Sequence, residues 1–207
     1  MSRTRGGSED PLNVYHTPEW VTRVLLDVVS LPGEGRILDA GCGEGAILKV
    51  LSEEISLERL AGIDLRQNCL DALRHPDLLL YQGDFLGHAG YYDHIVMNPP
   101  YGGRENTAHQ FVEHALDLVP KGGLVCALLR LPWFASGEVR HGRASWLRAN
   151  MPQKIYALER RPSFTGGGTD GTDYGWGVWR KGIHPLCAEF HIARCLEKEI
   201  PTTEKTP

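Results

Sequence analysis

Short, continuously apolar runs alternate with stretches of helical periodicity along most of this 207-residue chain. The runs at 36–40, 60–64, 78–82, 92–97, 122–130, 154–159 and 174–180 predict strands. Apolar residues spaced three and four apart predict helices at about 18–29, 45–54, 67–74 and 104–118. A run such as Arg36-Ile37-Leu38-Asp39-Ala40 does not alternate apolar with polar, so both faces of its sheet are expected to be covered, as when helices connect parallel strands. The expected architecture is α/β: a doubly wound, mostly parallel sheet of seven strands. Residues 1–10 are polar and are expected to form a flexible arm. Residues 11–183 are expected to form one domain, and 184–207 a C-terminal helix and tail.

Candidate chemistry sits where the predicted strands end. After Tyr92-Asp93-His94-Ile95-Val96-Met97 comes Asn98-Pro99-Pro100-Tyr101. The Asn98 side chain offers an amide oxygen, and Pro99 has a carbonyl but no N–H, so two acceptors can converge on one exocyclic NH2 group. Tyr101 can stack on the ring that carries it. Two acceptors on its hydrogens favour the pyramidal geometry that a delocalised aromatic amine needs in order to attack, which implies nitrogen alkylation. Read alone, the tetrapeptide is also a turn signal.

Upstream, Asp39-Ala40 leads into Gly41-Cys42-Gly43-Glu44-Gly45 and a predicted helix, a strand, glycine loop and helix unit. Glycine lets the backbone turn tightly and lets a ligand approach closely. Leu60-Ala61-Gly62-Ile63-Asp64 ends in a carboxylate placed to accept from ribose hydroxyls, with Leu65 beside it. Leu78 to Gln82 leads to Gly83-Asp84-Phe85, an acid for an adenine amino group and a ring for its face. A nicotinamide cofactor is the rival reading, but the spacing is GxGxG rather than GxGxxG, and nothing here looks built for phosphate. Asp39 can equally anchor loop amides, Phe85 can be core, and Thr17-Pro18 can start a helix.

Together these residues resemble the class I S-adenosylmethionine-dependent methyltransferases, and more narrowly the amino-methyltransferases that modify adenine N6. The resemblance runs from Tyr15 to about Lys181. It implies cofactor contacts at Tyr15, Thr17, Pro18, Asp39, Gly41, Cys42, Gly43, Gly45, Asp64, Leu65, Asp84, Phe85 and Asn98, and catalysis by Asn98, Pro99, Pro100 and Tyr101. It also implies an antiparallel strand at Tyr174 to Trp179 and a base-clamping role for Phe164. DNA adenine is the expected substrate. RNA adenine, cytosine N4 and a protein glutamine amide are the alternatives, as is a non-catalytic partner subunit.

Net charge of −4 hides an asymmetry: residues 1–129 hold 10 basic and 18 acidic side chains, residues 130–207 hold 12 and 8. In the second part Arg130, Arg140, Arg143, Arg148, Lys154, Arg160 and Arg161 are interleaved with Trp133, Phe134 and Trp146, the composition of a phosphate-tracking surface with stacking residues. Trp133, Arg140, Arg143 and Arg160 are therefore candidate nucleic-acid contacts. The glycine-rich stretch 162–173 is expected to be a mobile loop. Five cysteines without a CxxC pair fit a reducing compartment, and no signal or membrane-spanning pattern is present, so a cytoplasmic protein is expected. His184, Cys187, His191 and Cys195 would spread along one helix face, too far apart for a single zinc ion, so no metal is expected.

Overall fold

The computed structural model describes residues 16–101, 107–135, 143–164 and 169–195. Its strands are β1 (Ile37–Ala40), β2 (Leu60–Asp64), β3 (Leu79–Gln82), β4 (His94–Met97), β5 (Leu124–Arg130), β6 (Lys154–Leu158), β7 (Tyr174–Arg180) and β8 (Glu189–Ala193). Its helices are α1 (Glu19–Val28), α2 (Ala46–Leu51), α3 (Gln67–Ala72), α4 (Thr107–Leu118), α5 (Leu131–Ala135) and α6 (Arg143–Ala149). All eight strands join one sheet in the order β3-β2-β1-β4-β5-β7-β6-β8. The first five run parallel, and β7 is antiparallel to both β5 and β6.

Successive strand residues point to opposite faces, which splits the core in two. Ile37 and Val96 pack with Val21, Leu25, Ile47, Leu51 and Leu70 beneath α1, α2 and α3. Leu38, Ile95 and Met97 pack with Phe111, Val112, Trp133 and Leu147 beneath α4, α5 and α6. Each fully buried aliphatic side chain of this kind contributes about 1.5–3 kcal/mol. His94 links the strand floor: its Nδ1 accepts from the Leu124 N–H at 3.1 Å, and its Nε2 lies 2.8 Å from the Pro32 carbonyl. That arrangement requires the neutral ring protonated on Nε2, and burial lowers its pKa accordingly.

Two expectations are corrected. The sheet has eight strands rather than seven, and the eighth replaces the helix expected after residue 184. Phe190 and Ile192 alternate with Glu189 and His191, a period of two that suits a strand. Strand β8 pairs parallel to β6, with His191 stacked on Tyr156 at 5.2 Å and Phe190 and Ile192 exposed at the sheet edge. Of the stretch expected to be a mobile loop, residues 165–168 lie outside the described residues; at its described ends the Asp170 N–H donates to the Pro162 carbonyl, and Arg161 pairs with Asp173. Among the described residues no helix is long and apolar enough to cross a membrane.

From β1 the chain moves outward through β2 to β3, then returns to β4 on the other side of β1. Connections leaving β1 and β4 therefore diverge, and a crevice opens at the carboxyl ends of these strands. The glycine loop follows β1 and the Asn98 turn follows β4, so both motifs border it.

Candidate active site

The loop after β1 places Gly41, Gly43 and Gly45 at φ of 76°, 53° and 78°. This left-handed backbone is disfavoured for a residue with a Cβ. At Gly45 a side chain would also strike Leu73, whose Cδ2 lies 2.4 Å from the ideal Cβ position. The Gly41 and Cys42 N–H groups both donate to the Ile63 carbonyl at 2.9 Å, which fastens the loop to β2. Cys42 turns its sulfur toward Gly62, where a Cβ would lie only 2.9 Å away.

A cavity of about 150 Å³ opens over this loop. Thr17, Asp39, Gly41, Cys42, Gly43, Asp64, Leu65, Asp84, Phe85 and Asn98 line it, together with Pro99 and Pro100. Gly45 starts α2 behind the loop and Pro18 caps α1, while Tyr15 lies outside the described residues. His16, Glu44, Arg66 and Phe111 also line the cavity. Of these, Glu44 and Arg66 adjoin the motif residues Gly43 and Asp64. Phe111 lies on α4, and only the fold brings it against Phe85, at 4.9 Å between ring centroids.

The two carboxylates at the strand ends behave in opposite ways. Asp39 is 1% exposed, and neither of its oxygens has a hydrogen-bond partner among the described residues. Burial, then the charge of Asp64, pushes its pKa well above the ordinary value. Asp64 is fully engaged. Its Oδ2 accepts from the Gly43 N–H at 2.8 Å, and its Oδ1 accepts from the Arg66 N–H at 2.9 Å and from Arg66 Nε at 3.0 Å. Burial alone would raise the Asp64 pKa, but these donors hold it below the usual carboxylate range. Asp84 caps a short 3₁₀ turn by accepting from the Leu86 N–H at 3.0 Å.

This lining fits S-adenosylmethionine. An unpartnered buried carboxylate suits a cationic ligand, and Asp39 lies beside the glycine loop that leaves room for one. Asp64 and Asp84 border the same space, each followed in sequence by an apolar residue, Leu65 and Phe85, available to a purine ring. A dianionic pyrophosphate would face four carboxylates here, those of Asp39, Glu44, Asp64 and Asp84, against the single guanidinium of Arg66.

At the other wall, the Asn98 side-chain amide donates to Thr17 Oγ1 at 3.0 Å. Thr17 is buried, and its hydroxyl makes no helix cap: Pro18 occupies the cap position. Because the NH2 end of the amide is committed to Thr17, Asn98 Oδ1 is left as the acceptor on the opposite side. The Tyr101 hydroxyl lies 2.6 Å from that oxygen and 2.5 Å from the Leu128 carbonyl. Its single proton is shared between the two.

Beyond Tyr101 a second cavity is lined by Tyr101, Thr107, Arg130, Pro132, Trp133 and Arg143. The 98–101 turn thus separates two spaces: Asn98, Pro99 and Pro100 face the first, and Tyr101 faces the second. Trp133 and Arg143 are brought together there, with the Arg143 guanidinium 5.7 Å from the Trp133 ring. Arg160 is elsewhere, over Trp20 at 4.5 Å, and lines neither cavity. Phe164, expected to clamp a base, is 4% exposed and packs edge-on against Tyr174 at 5.0 Å. Arg140 lies outside the described residues.

Comparison with known proteins agrees with this geometry. Residues 17–130 match the family model of the methyltransferase small domain. The chain is 30% identical over 154 residues to ribosomal RNA small subunit methyltransferase C of Shewanella amazonensis, a match covering 68% of this chain and 45% of that protein. It is 28% identical over 145 residues to the rRNA N(6)-adenosine-methyltransferase metl-5 of Caenorhabditis elegans, covering 59% of this chain and 67% of that one. The chain thus spans under half the length of the first relative and about two thirds of the second. Among solved structures, a protein described as an RNA methyltransferase from Pyrococcus horikoshii superposes with a TM-score of 0.65 at 18% identity, over 86% of this chain and 93% of that one. That likeness concerns the fold. The glycine loop, the orphaned Asp39 and the family match converge: the chain belongs to the methyltransferase small domain family, within the class I S-adenosylmethionine-dependent methyltransferases.

Proposed function

We propose that this protein methylates an exocyclic amino nitrogen of a nucleobase, adenine N6 first, in a polynucleotide. The observation that carries the reading is the Asn98 amide, pinned by Thr17 so that its oxygen is the acceptor at the carboxyl end of β4. Asn98 Oδ1 and the Pro99 carbonyl hold the two amine hydrogens and stabilise positive charge as it grows on nitrogen. Pro99 and Pro100 keep the turn rigid, so orientation is set before the acceptor arrives. S-adenosylmethionine, when bound, supplies an electrophilic methyl group. No strong base is required of the chain, because the amine proton becomes acidic once its nitrogen is alkylated. An adenine within a duplex must first be swung out of the stack.

Two relatives are named as rRNA methyltransferases, which supports weighing RNA equally with DNA in this reading, so the two are tested together. The protein is incubated with methyl-tritiated S-adenosylmethionine and, separately, with mixed DNA, mixed RNA and a glutamine-containing peptide pool. Label is expected in a polynucleotide, as N6-methyladenine after nuclease digestion, and is expected to vanish with Asn98→Ala. Label in the peptide pool alone would overturn the nucleobase assignment.

A further inference from the structure

We infer that the Tyr101 hydroxyl gates the acceptor side of the site: it occupies Asn98 Oδ1 in the free protein and has to give that oxygen up before an amine can be held there. The inference rests on the amino-methyltransferase reading above, and it adds a group that controls admission of the acceptor.

The oxygen that the amine needs is already engaged. Asn98 Oδ1 is the side-chain acceptor at the end of β4, because the NH2 end of the same amide is committed to Thr17. The Tyr101 hydroxyl lies 2.6 Å from Oδ1, the distance of a made O–H···O bond. It also lies 2.5 Å from the carbonyl of Leu128, on the neighbouring strand β5. The phenol therefore bridges the end of β4 to β5, and it has one proton for two acceptors. Donated to Asn98, that proton takes up a lone pair that an amine would use. Donated to Leu128, it leaves two oxygens 2.6 Å apart with no hydrogen between them, a repulsion that is relieved when the phenol moves off and an N–H takes its place.

Placement makes this contact an obstacle rather than a bystander. The first cavity is the one whose lining fits the cofactor, so an acceptor has to reach Asn98 from the side of the second, where Tyr101 is a wall. That second cavity, of about 220 Å³, adjoins the phenol and gives it room to turn. In the closed position the ring lies edge-on to Tyr174 at 5.6 Å, with the Arg130 guanidinium 5.2 Å from its centroid. These contacts and the hydroxyl bonds favour the closed state by a modest amount, which an amine hydrogen on Oδ1 can offset. A site that is open only part of the time binds its acceptor more weakly by that fraction, so the hydroxyl should show itself in affinity rather than in chemistry.

The test is steady-state transfer from methyl-tritiated S-adenosylmethionine to adenine-containing single-stranded DNA and RNA 15-mers and to a glutamine-containing peptide, with wild type and Tyr101→Phe. Phenylalanine keeps the ring and removes the hydroxyl, so the competition for Oδ1 ends while stacking by the ring is retained. S-adenosylhomocysteine affinity by calorimetry, expected to be the same in both proteins, checks that the variant is folded and its first cavity intact. The variant is expected to lower the acceptor KM about threefold to tenfold, the worth of one hydrogen bond, and to raise kcat/KM with it. A fall in kcat at unchanged KM would overturn the gate and show the hydroxyl acting in the chemical step, while the amino-methyltransferase reading stands. Unchanged KM and kcat would overturn the gate as well. Label in the peptide alone would instead remove the nucleobase reading, and the same KM comparison on the peptide would then decide the gate.

Discussion

The Asn98 amide donates to the hydroxyl of Thr17 at 3.0 Å, joining residues 81 positions apart. An amide side chain presents an oxygen or an NH2 depending on a half-turn about its last bond, and only the oxygen can accept from an amine. Thr17 decides between the two. Valine has the same shape and no acceptor, so Thr17→Val should lower turnover about tenfold, the worth of one hydrogen bond, with S-adenosylhomocysteine affinity nearly unchanged. Thr17→Ser should restore turnover. Equal loss of cofactor affinity in the valine variant would show Thr17 acting on the cofactor instead.

Asp39 should reveal itself through pH. Its carboxyl is pushed up in the folded free protein, so its contribution to stability is fully present below the unfolded value, about 3.9, and is lost as pH rises through the folded value. Asp39→Asn removes that loss. In thermal melts the variant should gain little near pH 3.5 and progressively more as pH rises, levelling once wild-type Asp39 is ionised. Each kcal/mol gained corresponds to about 2–4 °C. The same variant should bind S-adenosylhomocysteine more weakly, because a cationic group of the ligand loses its counter-charge. A pH-independent difference in melting temperature would refute the buried-acid account.

Asp64 and Arg66 separate ligand contact from scaffolding. Asp64→Ala should weaken cofactor binding and also remove one acceptor from the Gly43 N–H and from the Arg66 side chain, at a cost of about 1.5–3 kcal/mol in stability. Arg66→Gln should cost less, since the main-chain N–H groups of Gly43 and residue 66 still hold the carboxylate. Calorimetric affinity with urea melts for both variants gives the comparison. Unchanged affinity in Asp64→Ala would remove the ribose assignment.

Phe164 provides a contrast between packing and recognition. Its ring is buried against Tyr174, so Phe164→Ala should destabilise the fold by about 3–5 kcal/mol, and Phe164→Leu by much less. A base clamp would behave differently, with unchanged melting and lost acceptor affinity in both variants.

The lining of the first cavity was largely legible in the sequence. Parallel strands buried on both faces read as unbroken apolar runs, and Asp39, Asp64 and Asn98 each sit at or just beyond the end of one. The glycines at 41, 43 and 45 marked the loop because their backbone angles are poorly open to other residues. Contacts made across the fold left no local trace. Nothing near Thr17 announces Asn98, and nothing near Phe85 announces Phe111. The aromatic residues among the arginines carry a packing role that composition does not reveal: Trp133 is 8% exposed and packs on Trp179 while also lining the second cavity, since a bulky ring beside arginines is a good plug for a helix–sheet interface. At the carboxyl end, the spacing of His184, Cys187, His191 and Cys195 suggested a helix and drew attention from Phe190 and Ile192, whose alternation carried the strand.

Because a single rigid turn is the partition between the two chambers, their walls are built from almost separate sets of side chains. On the function proposed above, substitutions in the wall beyond Tyr101 should change the choice of target and leave affinity for the methyl source behind Asn98 unaltered.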